Sequence, residues 1–140
     1  MTSMWSGITI PGTGVAVDQT WINTIGGNLA NMNDAATPGK PVYRPEYVVA
    51  GEQTGTSGTG SQGIGNGVQV DAITVGSAKG QMQYQPGNPL ANASGEVVYP
   101  AVDMGSELTN VVQSQISYQA NAQAMSAAKM SYTSILNIKA

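Results

Sequence analysis

The side chains able to exchange protons or electron pairs near neutral pH are few: eight carboxylates and five bases among 140 residues, with no histidine and no cysteine. That inventory excludes a Ser-His-Asp or Cys-His nucleophile pair, a zinc site of the usual Cys/His kind, and any disulfide. What it leaves is chemistry by paired carboxylates, one acid protonating a leaving group while the other serves as base or nucleophile. No two of the acids stand in a recognisable motif, and singly they read as solvated or helix-capping groups. The composition therefore points away from an enzyme, and it carries no sign of a cofactor, metal or small-molecule substrate.

The bases Lys40, Arg44, Lys79, Lys129 and Lys139 are dispersed and the net charge is −3, so no patch could neutralise a row of phosphates. Nucleic acid is not an expected partner. The apolar stretches fall far short of the roughly 20 residues that cross a bilayer, and Met1–Gly12 lacks a basic segment followed by an apolar run. Neither membrane insertion nor a cleaved secretion signal is expected. Charged residues make up only 9% of the chain against roughly 25% in typical soluble domains, which leaves a surface weakly defended against association.

The elements that position these residues can be read from periodicity. Val15, Asp18, Ile22, Ile25, Leu29 and Met32 recur at alternating three- and four-residue steps, which predicts a helix from about Val15 to Met32. Gly26 and Gly27 each cost it roughly 1 kcal/mol relative to Ala, so either a close-packed neighbour compensates or a turn splits the segment there. Thr37 to Pro41 is turn-rich. Val42–Ala50, Gly67–Val75, Lys79–Gln85 and Glu96–Tyr99 read as strands, with a flexible Gly-rich loop at 51–67 and a sharp corner at Pro86–Leu90. That loop lacks the Lys-Ser/Thr of a phosphate cradle.

The strongest signal follows Pro100, where Asp103 or Ser106 could cap a helix reaching about Ile138. Its stripe is Met104, Leu108, Val111, Gln115, Tyr118, Ala122, Met125, Lys129, Tyr132 and Leu136, spaced four then three throughout. Such a helix is about 50 Å long, about twice the length of the amino-terminal one, so half of its seam should lie bare until neighbours cover it. The chain is thus expected to be α+β: paired terminal helices in a coiled-coil-like domain (1–33 with 103–140) and a small β-rich central module (34–102). The candidate subunit interface is Ile22, Ile25, Leu29, Met32, Met104, Leu108, Val111, Tyr118, Ala122, Met125, Tyr132 and Leu136.

Three blocks in order along the chain resemble the bacterial flagellar basal-body rod protein family. The first is Asn28-Leu29-Ala30-Asn31 with Tyr43-Arg44 after it; the second is Tyr84, then Pro86-Gly87-Asn88-Pro89-Leu90; the third is Ser117-Tyr118-Gln119-Ala120-Asn121. The resemblance is greatest to short, proximal members of the family. It departs in having Pro11-Gly12 ahead of Val15, and Trp21 where the family commonly has Arg. What it implies is a structural subunit of the rod, the shaft that crosses the periplasm and transmits torque from motor to hook. The implied partners are further copies of itself, FlgB, FlgF, FlgG, the rod–ring junction protein FliE and the flagellar type III export apparatus, through which it would leave the cell uncleaved. Two alternatives are a FlgB-like axial subunit and an unrelated secreted β-rich binding module on a coiled-coil stalk.

Overall fold

A computed structural model describes residues 2–53 and 65–138. Two long helices, α1 (Thr2–Asn31) and α2 (Met104–Ile138), bracket four short strands: β1 (Glu46–Glu52), β2 (Val68–Val75), β3 (Gln81–Tyr84) and β4 (Glu96–Tyr99). The architecture is α+β. The centre of the Gly-rich loop at 51–67 lies outside the described residues.

The first helix begins thirteen residues before Val15 and runs unbroken through Pro11 and through Gly26-Gly27, so the extent read from periodicity is corrected at its start. An interior proline removes one backbone hydrogen bond and costs about 3 kcal/mol. Tertiary packing outweighs that cost, because α2 lies antiparallel alongside on both sides of Pro11. A Cβ built on Gly7 would sit 3.6 Å from the Ala128 methyl, and one on Gly12 would sit 3.9 Å from the Met125 sulfur. At Gly14 it would come within 2.6 Å of Asn121 Nδ2, so the helices touch there only because the residue is glycine.

With 30 residues against 35, α1 pairs with nearly the whole of α2. The expectation that half of the long helix lacks a partner in its own chain is therefore corrected. What lies bare is a face of α2, not half of its length.

Both sheets are two-stranded and antiparallel, β1 with β2 and β3 with β4. The register of the first slips between Val49 and Ala50, leaving Asp71 of β2 as the extra residue of a bulge. β1 runs against α1, and the Trp21 indole donates to the Val48 carbonyl at 3.2 Å. After α1 the chain is tied to the second sheet by a reciprocal bridge: Ala36 donates to the Val98 carbonyl at 2.8 Å and Val98 returns the bond at 2.9 Å.

The apolar core is small: Val17, Ile25, Val42, Val97 and Val98, with Pro45 fully covered. The accessible surface of the chain is 9407 Å², whereas a compact monomer of 14.3 kDa is expected to show about 6800 Å². An elongated helical pair carrying two thin ribbons cannot enclose its apolar residues. Among the described residues, no helix is long and apolar enough to cross a membrane.

Candidate assembly interface

The face that α2 turns to α1 is polar and small. Glu107, Ser114, Asn121 and Ala128 lie at seven-residue intervals, and Val111, Tyr118, Met125 and Tyr132 form the row beside them; all eight are buried or half-buried. This seam sits one position away from half of the predicted apolar stripe.

Two hydrogen-bonded clamps fix its register. Asp18, 2% exposed, accepts from the Ser117 hydroxyl at 3.0 Å and from Asn121 Nδ2 at 2.9 Å. Asn28, fully buried, uses its whole amide. Its Nδ2 donates to the Glu46 carbonyl at 2.8 Å and to Glu107 Oε1 at 3.0 Å, while its Oδ1 accepts from the Glu46 N–H at 2.8 Å and the Tyr43 hydroxyl at 3.0 Å. The Glu46 N–H can only donate, so the amide's orientation is fixed. One side chain thereby joins α1, the start of β1, the Tyr43 segment and α2. Burial, with the nearby Glu46 carboxylate next in weight and Glu107 adding to it, pushes the Tyr43 phenol above its ordinary pKa, against a hydrogen bond with Asn31.

At the start of α2, Asp103 is the cap and Ser106 its partner. Asp103 Oδ1 accepts from the Gly105 N–H at 3.0 Å and Oδ2 from the Ser106 hydroxyl at 2.7 Å, bonds that hold its carboxyl below the usual range.

The three sequence blocks thus fall largely on intramolecular joints. Asn28 and Tyr43 form the second clamp, Ser117 and Asn121 half of the first, and Asn31 bonds back to the Gly27 carbonyl at 2.8 Å. Arg44 reaches the Gly76 carbonyl at 2.9 Å. In the corner, Asn88 donates through its N–H to the Gln85 carbonyl and accepts the Leu90 N–H, both at 3.0 Å. Tyr84, Pro86, Gly87, Pro89 and Leu90 are exposed around it, as are Ala30, Gln119 and Ala120 on the helices.

The candidate interface residues divide accordingly. Ile25 is buried; Ile22, Leu29, Met32, Val111, Tyr118, Ala122, Met125 and Tyr132 are half-buried within the chain. Met104, Leu108 and Leu136 are exposed. Leu108 continues into a row the stripe did not contain, Val112 and Ile116, which lines a shallow trough on the side of α2 away from α1. Sequence reasoning missed this row because its steps are four and four, and a four-then-three template skips it. Near the free ends, Trp5 packs on Tyr132 with ring centroids 5.9 Å apart, and Met130, Ile135 and Ile138 are exposed beside them.

Among the described residues, no group of three or more His, Cys, Asp or Glu side chains could hold a metal. A scan against protein-family models finds no match. Similar curated proteins are nonetheless found across bacteria. The chain is 32% identical over 126 residues to the flagellar basal-body rod protein FlgC of Salmonella typhimurium, covering 86% of each. It is 34% identical over 119 residues to FlgC of Bacillus subtilis, covering 77% of this chain and 79% of that one. With FlgC of Borreliella burgdorferi it shares 26% over 147 residues, covering 96% of this chain and 97% of the relative.

Proposed function

The chain belongs to the FlgC family of flagellar basal-body rod proteins, and from that membership we propose that it is a structural, non-enzymatic subunit of the proximal rod. It polymerises into the shaft that carries torque from motor to hook. The relatives above are all FlgC, so a FlgB-type subunit is not favoured. In this reading the helical pair, 1–33 with 103–140, does the assembling, and 34–102 forms the outer β-rich part. Its neighbours are further copies of itself, FlgB, FlgF and FlgG, with FliE at the base. It reaches the basal body through the flagellar type III export apparatus.

The observation that carries the proposal is the bare row Leu108, Val112 and Ile116, which are 47%, 55% and 63% exposed although α1 already pairs with α2 along its length. Burying the exposed half of each against a neighbour contributes roughly 1 kcal/mol. Apolar packing is also insensitive to ionic strength, which suits a shaft whose load is shared among many small contacts.

The test is deletion with complementation. The null strain is expected to be non-motile and to lack intact hook-basal bodies, and the wild-type gene to restore both. A Val112→Asp/Ile116→Asp double variant should fail to restore them while the purified protein keeps wild-type circular dichroism, because both residues are exposed in the monomer. Normal motility in the null strain would overturn the reading.

A further inference from the structure

Where the β1–β2 ribbon meets α1, one hydroxyl holds the joint: Val68 donates its N–H to Thr13 Oγ1 at 3.0 Å. Gly67 lies against the same side chain. Its φ is +111°, and a Cβ built there would collide with Thr13, so only glycine fits. Across the ribbon, Gln53 donates to the Gly67 carbonyl at 2.8 Å and Asn66 to the Gln53 carbonyl at 3.3 Å. The fold thus demands a glycine directly after Asn66, and no other asparagine in the chain is followed by one. The Asn66 side chain is exposed, and neither its amide nor the Gly67 N–H has a hydrogen-bond partner among the described residues. Other asparagines are guarded. Asn28 is buried, and Asn88 precedes Pro89, which has no N–H. Those inside α1 and α2 precede residues whose N–H groups are held in helical bonds.

We propose that Asn66-Gly67 is a self-modification site, at which the ribbon's hold on α1 is chemically altered as the protein ages. The Gly67 nitrogen gives up its proton and attacks Asn66 Cγ. A Cγ–N bond forms, the Cγ–Nδ2 bond breaks, and the departing amide nitrogen carries that proton away as ammonia. The product is a cyclic imide, which water then opens. Breaking the new bond leaves an aspartyl residue; breaking the original peptide bond leaves an isoaspartyl residue, whose main chain runs through the former side chain. Water is the sole co-reactant, and nothing is oxidised or reduced. Either product adds a carboxylate to a ribbon whose charges, Glu46, Glu52 and Asp71, are already all negative. The isoaspartyl form also lengthens the main chain by about 1.5 Å, one carbon–carbon bond, just ahead of the Val68 N–H that Thr13 holds. A hydrogen bond of 3.0 Å is lost on a displacement of that size. None of this depends on what the chain assembles into.

The test follows purified full-length protein, kept folded in neutral buffer at physiological temperature and sampled over days, by peptide mapping with mass spectrometry. Position 66 is expected to gain the mass of an amide turned into an acid at least about tenfold faster than any other asparagine, because no Cβ on the next residue obstructs the attack. The modified peptide should separate into aspartyl and isoaspartyl forms. Amide exchange at Val68 should rise in step with the modification. Asn66→Gln, which would have to close a larger ring, should stay intact and keep Val68 protected over the same period. Thr13→Ala should expose the Val68 amide in fresh protein, with no modification needed. Conversion spread evenly over the asparagines, or absent at position 66, overturns the self-modification. Conversion at position 66 with Val68 exchange unchanged, or a Val68 amide still protected in Thr13→Ala, overturns its effect on the joint.

Discussion

Near the β1–β2 ribbon, α1 and α2 meet through Asp18 with Ser117 and Asn121, and through Asn28 with Glu107. Toward their free ends they meet through Gly7 against Ala128, Gly12 against Met125, and Trp5 on Tyr132. The first set is directional: a buried carboxylate or amide has its partners in one register only, and sliding by a residue leaves it unsatisfied. The second set is permissive, since small residues and one tilted aromatic pair allow close approach without specifying a register. The end near the ribbon therefore fixes how the two helices are paired, and the free end offers surface.

The contrast can be broken by substitution. Replacing Asn28 with Ala strands the Tyr43 hydroxyl, the Glu46 backbone and Glu107 together, and is expected to cost about 4 kcal/mol in chemical denaturation. Gly14→Val, which drives a side chain into Asn121, should cost about 1–3 kcal/mol by the same measurement. Near the free ends, Trp5→Ala removes an exposed aromatic contact worth about 1 kcal/mol. If Trp5→Ala destabilised the monomer as much as Asn28→Ala, the two halves would not differ as described.

Titration sharpens the same comparison. The Tyr43 pKa is raised in the folded state, so its contribution is fully present below about pH 10, where the unfolded phenol ionises, and is lost as pH rises through the folded value. Thermal melts of the wild type should fall off at alkaline pH, and Tyr43→Phe should flatten that dependence. Asp103 is depressed, so its support of α2 is present above about pH 4 and lost as pH falls through the lower folded value. The effect should be the smallest of the five, a local increase of amide exchange at Gly105 and Ser106 in acid that Asp103→Ala reproduces at neutral pH.

Much of the fold was legible in the residues. The long helix starts at Met104, just after the Asp103 cap read there, and Glu96–Tyr99 forms the strand read there. The amino-terminal extent of α1 was hidden, because Pro11 and the neighbouring glycines score against a helix in isolation and only α2 alongside makes them favourable. The seam was half legible: Val111, Tyr118, Met125 and Tyr132 keep their apolar signal, but Glu107, Ser114 and Asn121 are polar and lie outside the predicted stripe. Their heptad spacing was the available clue, and hydropathy points the other way.

The sequence by itself determined that no histidine or cysteine is present to do chemistry, that helices lie toward both ends of the chain, and that its motif blocks resemble those of a flagellar rod family. The first two rest on composition and local spacing, which need no knowledge of partners, and the third on a resemblance. Only the tertiary structure decided which face of α2 is satisfied within the chain and which is left for others. A stripe records that a face seeks cover, whereas what covers it depends on residues far away: Asn28 meets Glu107 across 79 positions, and Asp18 meets Asn121 across 103.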